Sequence, residues 1–263
     1  MSTMTTYGDL PALTIHAPDG AQATIALYGA HLLSWKTADG AERLFMSSRS
    51  PLDGSKAIRG GVPVIFPQFS TRGTQLRHGV ARLSHWRVGG DGINAGRAWA
   101  EFELNQHDLS EAMAFDFPYK FELRLRFTVA AGAIEMRFTV KNSGAEAFPF
   151  ACALHTYYAL GAFAGATLDG LPAGRLPFSG YLDEIHAATP TLLLRDGARQ
   201  FTLEQQGFGE WVVWNPGADG AARLDDMADD EHARFVCIEP ARVDKQPLAP
   251  GDSWTGLHRI AAR

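Results

Sequence analysis

Cysteine is nearly absent: the 263 residues hold only Cys152 and Cys237, each inside an apolar run. Two such residues cannot build the disulfide framework of a small secreted fold, and they read as reduced core thiols. Long apolar runs are also missing, and no stretch approaches the ~20 residues of a membrane span. The start, Met1 to Tyr7, is polar and lacks the charged and apolar regions of a signal peptide. A soluble cytoplasmic protein with no membrane role is the expectation. Basic clusters are scarce too. Lys and Arg total 24 against 29 Asp and Glu, a net charge of −5, which makes nucleic acid a poor partner. A locally basic site for an anionic substrate remains compatible with that balance. Nine histidines occur without His-x-x-His spacing, and no Cys-x-x-Cys exists, so no metal centre is expected. Neither a G-x-G-x-x-G fingerprint nor a G-x-S-x-G elbow is found.

What is present is alternation. Leu13–His16 and Ala23–Tyr28 read as strands around the turn Asp19-Gly20. His31–Lys36, Glu42–Met46, Ala98–Asn105, Tyr119–Val129 and Ala133–Lys141 continue the pattern, with a hairpin at Ala130-Ala131-Gly132. In Lys120–Phe127 charges alternate strictly with apolar residues, giving one wet and one buried face. Short strands follow at Ala166–Leu168, Thr191–Leu194, Gln200–Leu203, Trp211–Trp214, Phe235–Ile238 and Trp254–Ile260. Asp108–Met113 suggests a short helical turn, and the acidic run Asp225–Glu231 a helical turn or solvated loop. With an apolar fraction of 46% and no linker or repeat, residues 1–263 are expected to form one all-β domain, a large antiparallel β-sandwich.

Several polar residues sit oddly in this frame. His155 lies in the apolar, aromatic run Phe148–Tyr158; a hydrogen-bonded core histidine is the common case, and a proton-transfer group the other. Glu239 ends the strand Phe235–Ile238 and precedes Pro240, which should stop the ladder and leave the carboxylate at a sheet rim. There it is either a general base with raised pKa or a structural carboxylate. The prolines of Ile58–Phe69 exclude a regular central strand, so this apolar segment should line a cleft, with Gly60-Gly61 permitting a close backbone approach. Arg59, Arg77 and Arg82 flank apolar or glycine-rich stretches and could clamp an anion or form ordinary salt bridges. His78 suits a polyol ligand or a core position equally, and His85 is read as structural. Trp214 could be a sugar platform or a packing residue, and Asp183 a hydroxyl ligand or a turn carboxylate.

Five stretches in order resemble one family. They are Ile58-Arg59-Gly60-Gly61-Val62-Pro63-Val64-Ile65-Phe66-Pro67, Arg77-His78-Gly79-Val80-Ala81-Arg82, Leu154-His155-Thr156-Tyr157-Tyr158, Val213-Trp214-Asn215-Pro216 and Cys237-Ile238-Glu239-Pro240. Together they are similar to the hexose-6-phosphate branch of the aldose 1-epimerase family. The resemblance implies a galactose-mutarotase-like sandwich, no cofactor and a small-molecule sugar phosphate as partner; a monomer is the expectation for the assembly. It implies that His155 protonates the ring oxygen, that Glu239 takes the anomeric proton from the opposite side, and that His78 binds near the reacting centre. Arg59 and Arg82 would hold the phosphate and Asp183 the ring hydroxyls. Three departures stand out. Arg77 replaces a frequent Gln, the stretch between His155 and Asp183 is short, and Gly217 follows Trp214-Asn215-Pro216 where a second Trp is usual. A free aldose is the alternative substrate, and a non-catalytic carbohydrate-binding domain the alternative class. The co-occurrence of His155 and Glu239 argues against the latter.

Overall fold

The computed structural model describes residues 1–263. Strands β1 (Ser2–Tyr7), β2 (Leu10–His16), β3 (Gln22–Ala26) and β4 (His31–Lys36) form a four-stranded antiparallel sheet in sequence order. The chain then runs irregularly, with only β5 (Val64–Ile65) as regular strand before β6 (Arg87–Asn94) and β7 (Arg97–Asn105). Helix α1 (Glu111–Asp116) precedes β8 (Phe121–Ala130), β9 (Ala133–Asn142), β10 (Phe148–Leu154) and β11 (Tyr157–Ala159). Next come β12 (Thr167–Leu171), β13 (Gly174–Pro177), β14 (Leu182–Ala187), β15 (Thr191–Asp196), β16 (Arg199–Gln206) and β17 (Glu210–Asn215). A short helix α2 (Gly217–Ala221), β18 (Phe235–Leu248) and β19 (Ser253–Ala262) complete the chain.

Nine of these strands form one large sheet in the order β13-β12-β15-β16-β19-β9-β8-β7-β6. Strands β14-β17-β18-β10-β5 form another, with β11 added beside β18. A bridge between Leu32 and Val62 joins the four-stranded sheet to the β5 segment. All three sheets turn apolar side chains into one shared core of 52 buried residues, so the layers make a sandwich. The two-residue period of each strand divides its side chains cleanly. On β8, Phe121, Leu123, Leu125 and Phe127 are buried, while Glu122 and Arg124 pair with Lys141 and Glu103. The β8–β9 hairpin turns at Ala131 and Gly132, both at positive φ, as a two-residue primed turn requires.

The sheet built on β18 has two different faces. Trp211, Val213, Val236 and Ile238 enter the shared core. Their neighbours Val212, Trp214 and Glu239 face the other way and line a cavity. One strand is added to the sequence reading and two expectations are corrected here. Ser2–Tyr7 is a strand, because its backbone pairs with β2 although its side chains stay largely exposed. The helix starts at Glu111, not Asp108, because Ser110 caps it through the Met113 amide. Pro240 does not end a strand: β18 runs through it to Leu248. At that point β18 changes neighbours, from β10 (last pair Ala153 with Ala241) to β11 (first pair Tyr157 with Cys237). Ile238 N–H points to Thr156 on that side, whereas the Ala241 carbonyl accepts from Gly209 on the other. Pro240, between them, therefore directs its proton-less nitrogen at the gap, where the ladder needs no donor.

Candidate active site

The same gap holds His155, which falls just after β10 and before β11. Across it, on β18, stands Glu239. Nδ1 of His155 lies 3.3 Å from Oε1 of Glu239. Glu239 is 1% exposed and the His155 side chain 11%, yet both line the cavity, so a ligand there reaches them. The two are neighbours on one floor, not groups facing each other across a hollow. Their adjacency follows from the strand break: His155 drops out of the ladder at the level where β18 loses its partner.

The cavity is ≈ 260 Å³, just below the usual range for drug-sized ligands, which suits a molecule as small as a monosaccharide. Arg59, Arg77, His78, Arg82, His155, Asp183, Trp214 and Glu239 all line it. The floor comes from the β18 sheet, with Asp183 on β14 in register with Trp214 on β17. The roof and cationic end come from the irregular segment between β4 and β6. Gly61 of that segment sits at φ +56, and a Cβ there would stand 2.2 Å from the Leu32 carbonyl. The close approach allowed by the glycine pair is thus to the protein's own backbone. The buried imidazole of His31 reaches the Gly60 carbonyl at 2.8 Å and fixes the turn.

His78 occupies a left-handed conformation, φ +63, followed by Gly79 at φ +70. Its Nδ1 accepts the Ser70 amide at 3.3 Å, so the neutral ring carries its proton on Nε2. Burial, then the charges of Arg82, Arg77 and Arg59, lower its pKa to about 3. His78 is therefore a neutral donor, 5.8 Å ring to ring from His155. Burial pushes His155 well below its ordinary value, and His78, Arg59 and Arg82 push the same way. Burial raises Glu239 well above the carboxylate range, with the charge of Asp183 adding to it. Both groups are thus held near neutrality, and a proton costs little to pass between them and a bound hydroxyl.

The arginines differ. Arg59 makes a two-pronged pair with Asp226, Nε to Oδ1 at 3.2 Å and the second terminal nitrogen to Oδ2 at 3.1 Å. Its remaining terminal nitrogen donates to the Tyr157 hydroxyl at 3.0 Å. Arg82 donates once, to the Arg77 carbonyl at 2.8 Å, and its Nε is buried without a partner. Burial lowers Arg82 to about 10, so it stays charged. Arg77 is exposed at the mouth. Asp183 is also exposed and accepts from Tyr181 at 2.9 Å.

Among the lining residues without a role in the sequence reading are Lys56, Tyr157 and Asp226. Tyr157 stacks flat on His155, with ring centroids 5.0 Å apart and 9° between planes. Its signal was its place two residues after the histidine. Asp226 belongs to the acidic run expected to be a helical turn or solvated loop. That expectation fails for its key members: Asp226 is drawn in by Arg59, and Glu231 is 2% exposed, bonded to Ser47 and Ser48. Nothing in an acidic run distinguishes such members before the chain is folded.

The sequence profile described as aldose 1-epimerase matches residues 11–172. The chain belongs to the aldose 1-epimerase family. It is accordingly an isomerase acting at the anomeric carbon of an aldose. A Cenchrus ciliaris protein named "Putative glucose-6-phosphate 1-epimerase" is 30% identical over 91% of this chain and 81% of its own. An Escherichia coli K12 protein of the same name is 31% identical over 84% and 79%. Among solved structures, a Salmonella typhimurium protein titled "putative mutarotase" superposes with a TM-score of 0.89 at 26% identity, covering 99% of this chain and 93% of that one. No helix is long and apolar enough to cross a membrane, and both cysteines are buried and free.

Proposed function

We propose that this epimerase interconverts the α and β anomers of a hexose 6-phosphate, with glucose 6-phosphate the first candidate. One observation carries the choice of a phosphorylated sugar. Arg82 is a half-buried guanidinium on the cavity wall that pairs with no carboxylate and makes one hydrogen bond, to the Arg77 carbonyl. A guanidinium so placed, with no carboxylate beside it, is best answered by an anion. Arg77 and Lys56 at the mouth add to the same positive field. The names of the two curated relatives agree with this reading.

In the proposed reaction the proton that neutral Glu239 carries passes to Nδ1 of His155, 3.3 Å away, and the carboxylate so formed takes the proton of the anomeric hydroxyl while the C1–O5 bond breaks. His155 gives a proton to O5 through the nitrogen that does not face Glu239. The resulting aldehyde rotates about C1–C2. Closure then runs the steps in reverse, O5 returning its proton to His155 and the carbonyl oxygen taking one from Glu239. O1 and O5 are both bonded to C1, so an acid and a base side by side suit the task better than groups on opposing walls. His78 donates Nε2–H to a sugar oxygen, Asp183 accepts from ring hydroxyls, and Trp214 provides an apolar wall. A bound phosphate would also offset the guanidinium charges that depress His155, and so favour its acid form.

The test is anomer exchange of glucose 6-phosphate and of glucose, followed by NMR. The wild type should accelerate the phosphorylated sugar preferentially. His155→Ala and Glu239→Gln should each lose about 10²–10⁴ in the catalysed rate. A variant retaining wild-type rate removes its residue from the mechanism, and equal acceleration of both sugars favours the free aldose.

A further inference from the structure

Three of the five N–H donors of Arg59 are already spent, two on Asp226 and one on Tyr157. Asp226 is held in place independently of Arg59. Its carbonyl lies 2.8 Å from the Ser47 hydroxyl, whose one proton it shares with Glu231. The next residue, Met227, is fully buried in a cluster with Phe45, Tyr157 and Phe235. Glu231 then closes the loop by accepting from Ser47 Oγ, Ser48 N–H and Ala228 N–H at 2.6, 2.8 and 3.0 Å. The carboxylate is thus a built part of the cavity wall. Arg82 and Arg77, by contrast, pair with no carboxylate.

We propose that Asp226 is a specificity-determining residue, a fixed counter-ion that withholds the charge of Arg59 from the substrate's phosphate. The inference rests on the sugar-phosphate reading above and divides the labour within it. Arg82 and Arg77 supply charge recognition. Arg59 offers its two remaining N–H groups as hydrogen-bond donors while adding no net charge. The cavity then holds one phosphate with moderate strength, so that product leaves. It also disfavours a second anionic group at the Arg59 end, as a sugar acid or bisphosphate would bring.

The experiment compares the wild type with Asp226→Asn and Asp226→Ser, by calorimetry with inorganic phosphate and by anomer exchange with glucose 6-phosphate and glucose. Release of a guanidinium charge within a few ångströms of the anion should tighten inorganic phosphate binding about tenfold. KM for glucose 6-phosphate should fall by a similar factor relative to that for glucose, without a rise in kcat. The double variant Arg59→Ala/Asp226→Asn should return phosphate affinity to that of Arg59→Ala alone. A merely structural Asp226 would instead weaken both sugars together. If the wild type binds phosphate but neither single variant binds it more tightly, the counter-ion role is overturned and the substrate reading stands. If the wild type neither binds phosphate nor prefers the phosphorylated sugar, the substrate reading falls and this inference with it. Either single variant suffices should the other fail to fold.

Discussion

Two side chains in contact, an imidazole and a carboxylate 3.3 Å apart, owe their shifted protonation to burial more than to each other. Each is pushed toward its neutral form by the loss of water, the condition under which small proton movements are cheap. Tyr157 backs this pair by stacking on His155 and bonding Arg59 through its hydroxyl. Tyr157→Phe keeps the stack and removes the bond. It should cost about 0.5–1.5 kcal/mol of stability by chemical denaturation, with kcat within about threefold of wild type and the larger change in KM for the phosphorylated sugar. A loss of kcat beyond about tenfold would give the hydroxyl itself a part in proton transfer. At this scale the sequence was informative where chemistry and setting disagree. A histidine inside an aromatic run and a glutamate after a buried strand are visible as anomalies. Asp226 is not, because a carboxylate among carboxylates looks solvated until the partner guanidinium is seen.

At the scale of elements, the decisive feature is the break between β10 and β11, which frees His155 and leaves β18 without a neighbour at Glu239-Pro240. The proline was legible as a ladder-breaking residue, but its consequence was misjudged. The ladder was already open on the side its nitrogen faces, which only pairing three strands reveals. Alternation located most strands, because period-two burial is written in the residues themselves. Strand β1 escaped notice because its pairing is a property of backbone and register, not of apolar side chains. The turn His78-Gly79 is the other critical element, since it aims His78 at the site. A Cβ on Gly79, at φ +70, would lie 2.0 Å from the Phe66 carbonyl. Gly79→Ala should therefore destabilise by about 2 kcal/mol or more, since backbone strain and a clash add. It should also raise KM by displacing His78. A melting temperature within a degree of wild type would show that the segment yields more easily than its packing suggests.

For the molecule as a whole, four histidines are held neutral by burial: His31 and His258 near 4, His78 near 3, and His155 well below its usual value. In the unfolded chain each would titrate near 6.5. As pH falls below that value the unfolded state binds more protons than the folded one, so stability is lost progressively toward pH 3–4. Glu239, with its pKa raised, works the other way: its burial costs most above the unfolded carboxylate value and is relieved as pH falls. Four imidazoles outweigh one carboxylate. Urea midpoints should drop steadily from pH 7 to pH 4.5, by several kcal/mol in extrapolated stability. A flat profile would mean that these histidines accept protons within the fold.

The sheet around β18 is a partition. One surface is committed to the interior that keeps the chain folded; the other presents the proposed acid–base pair to whatever the neighbouring irregular segment admits. Choice of substrate and integrity of the fold are thereby written in different residues. The stretch from Lys56 to Arg82 can be re-tailored toward sugars of other charge while the His155–Glu239 pair beneath is left intact.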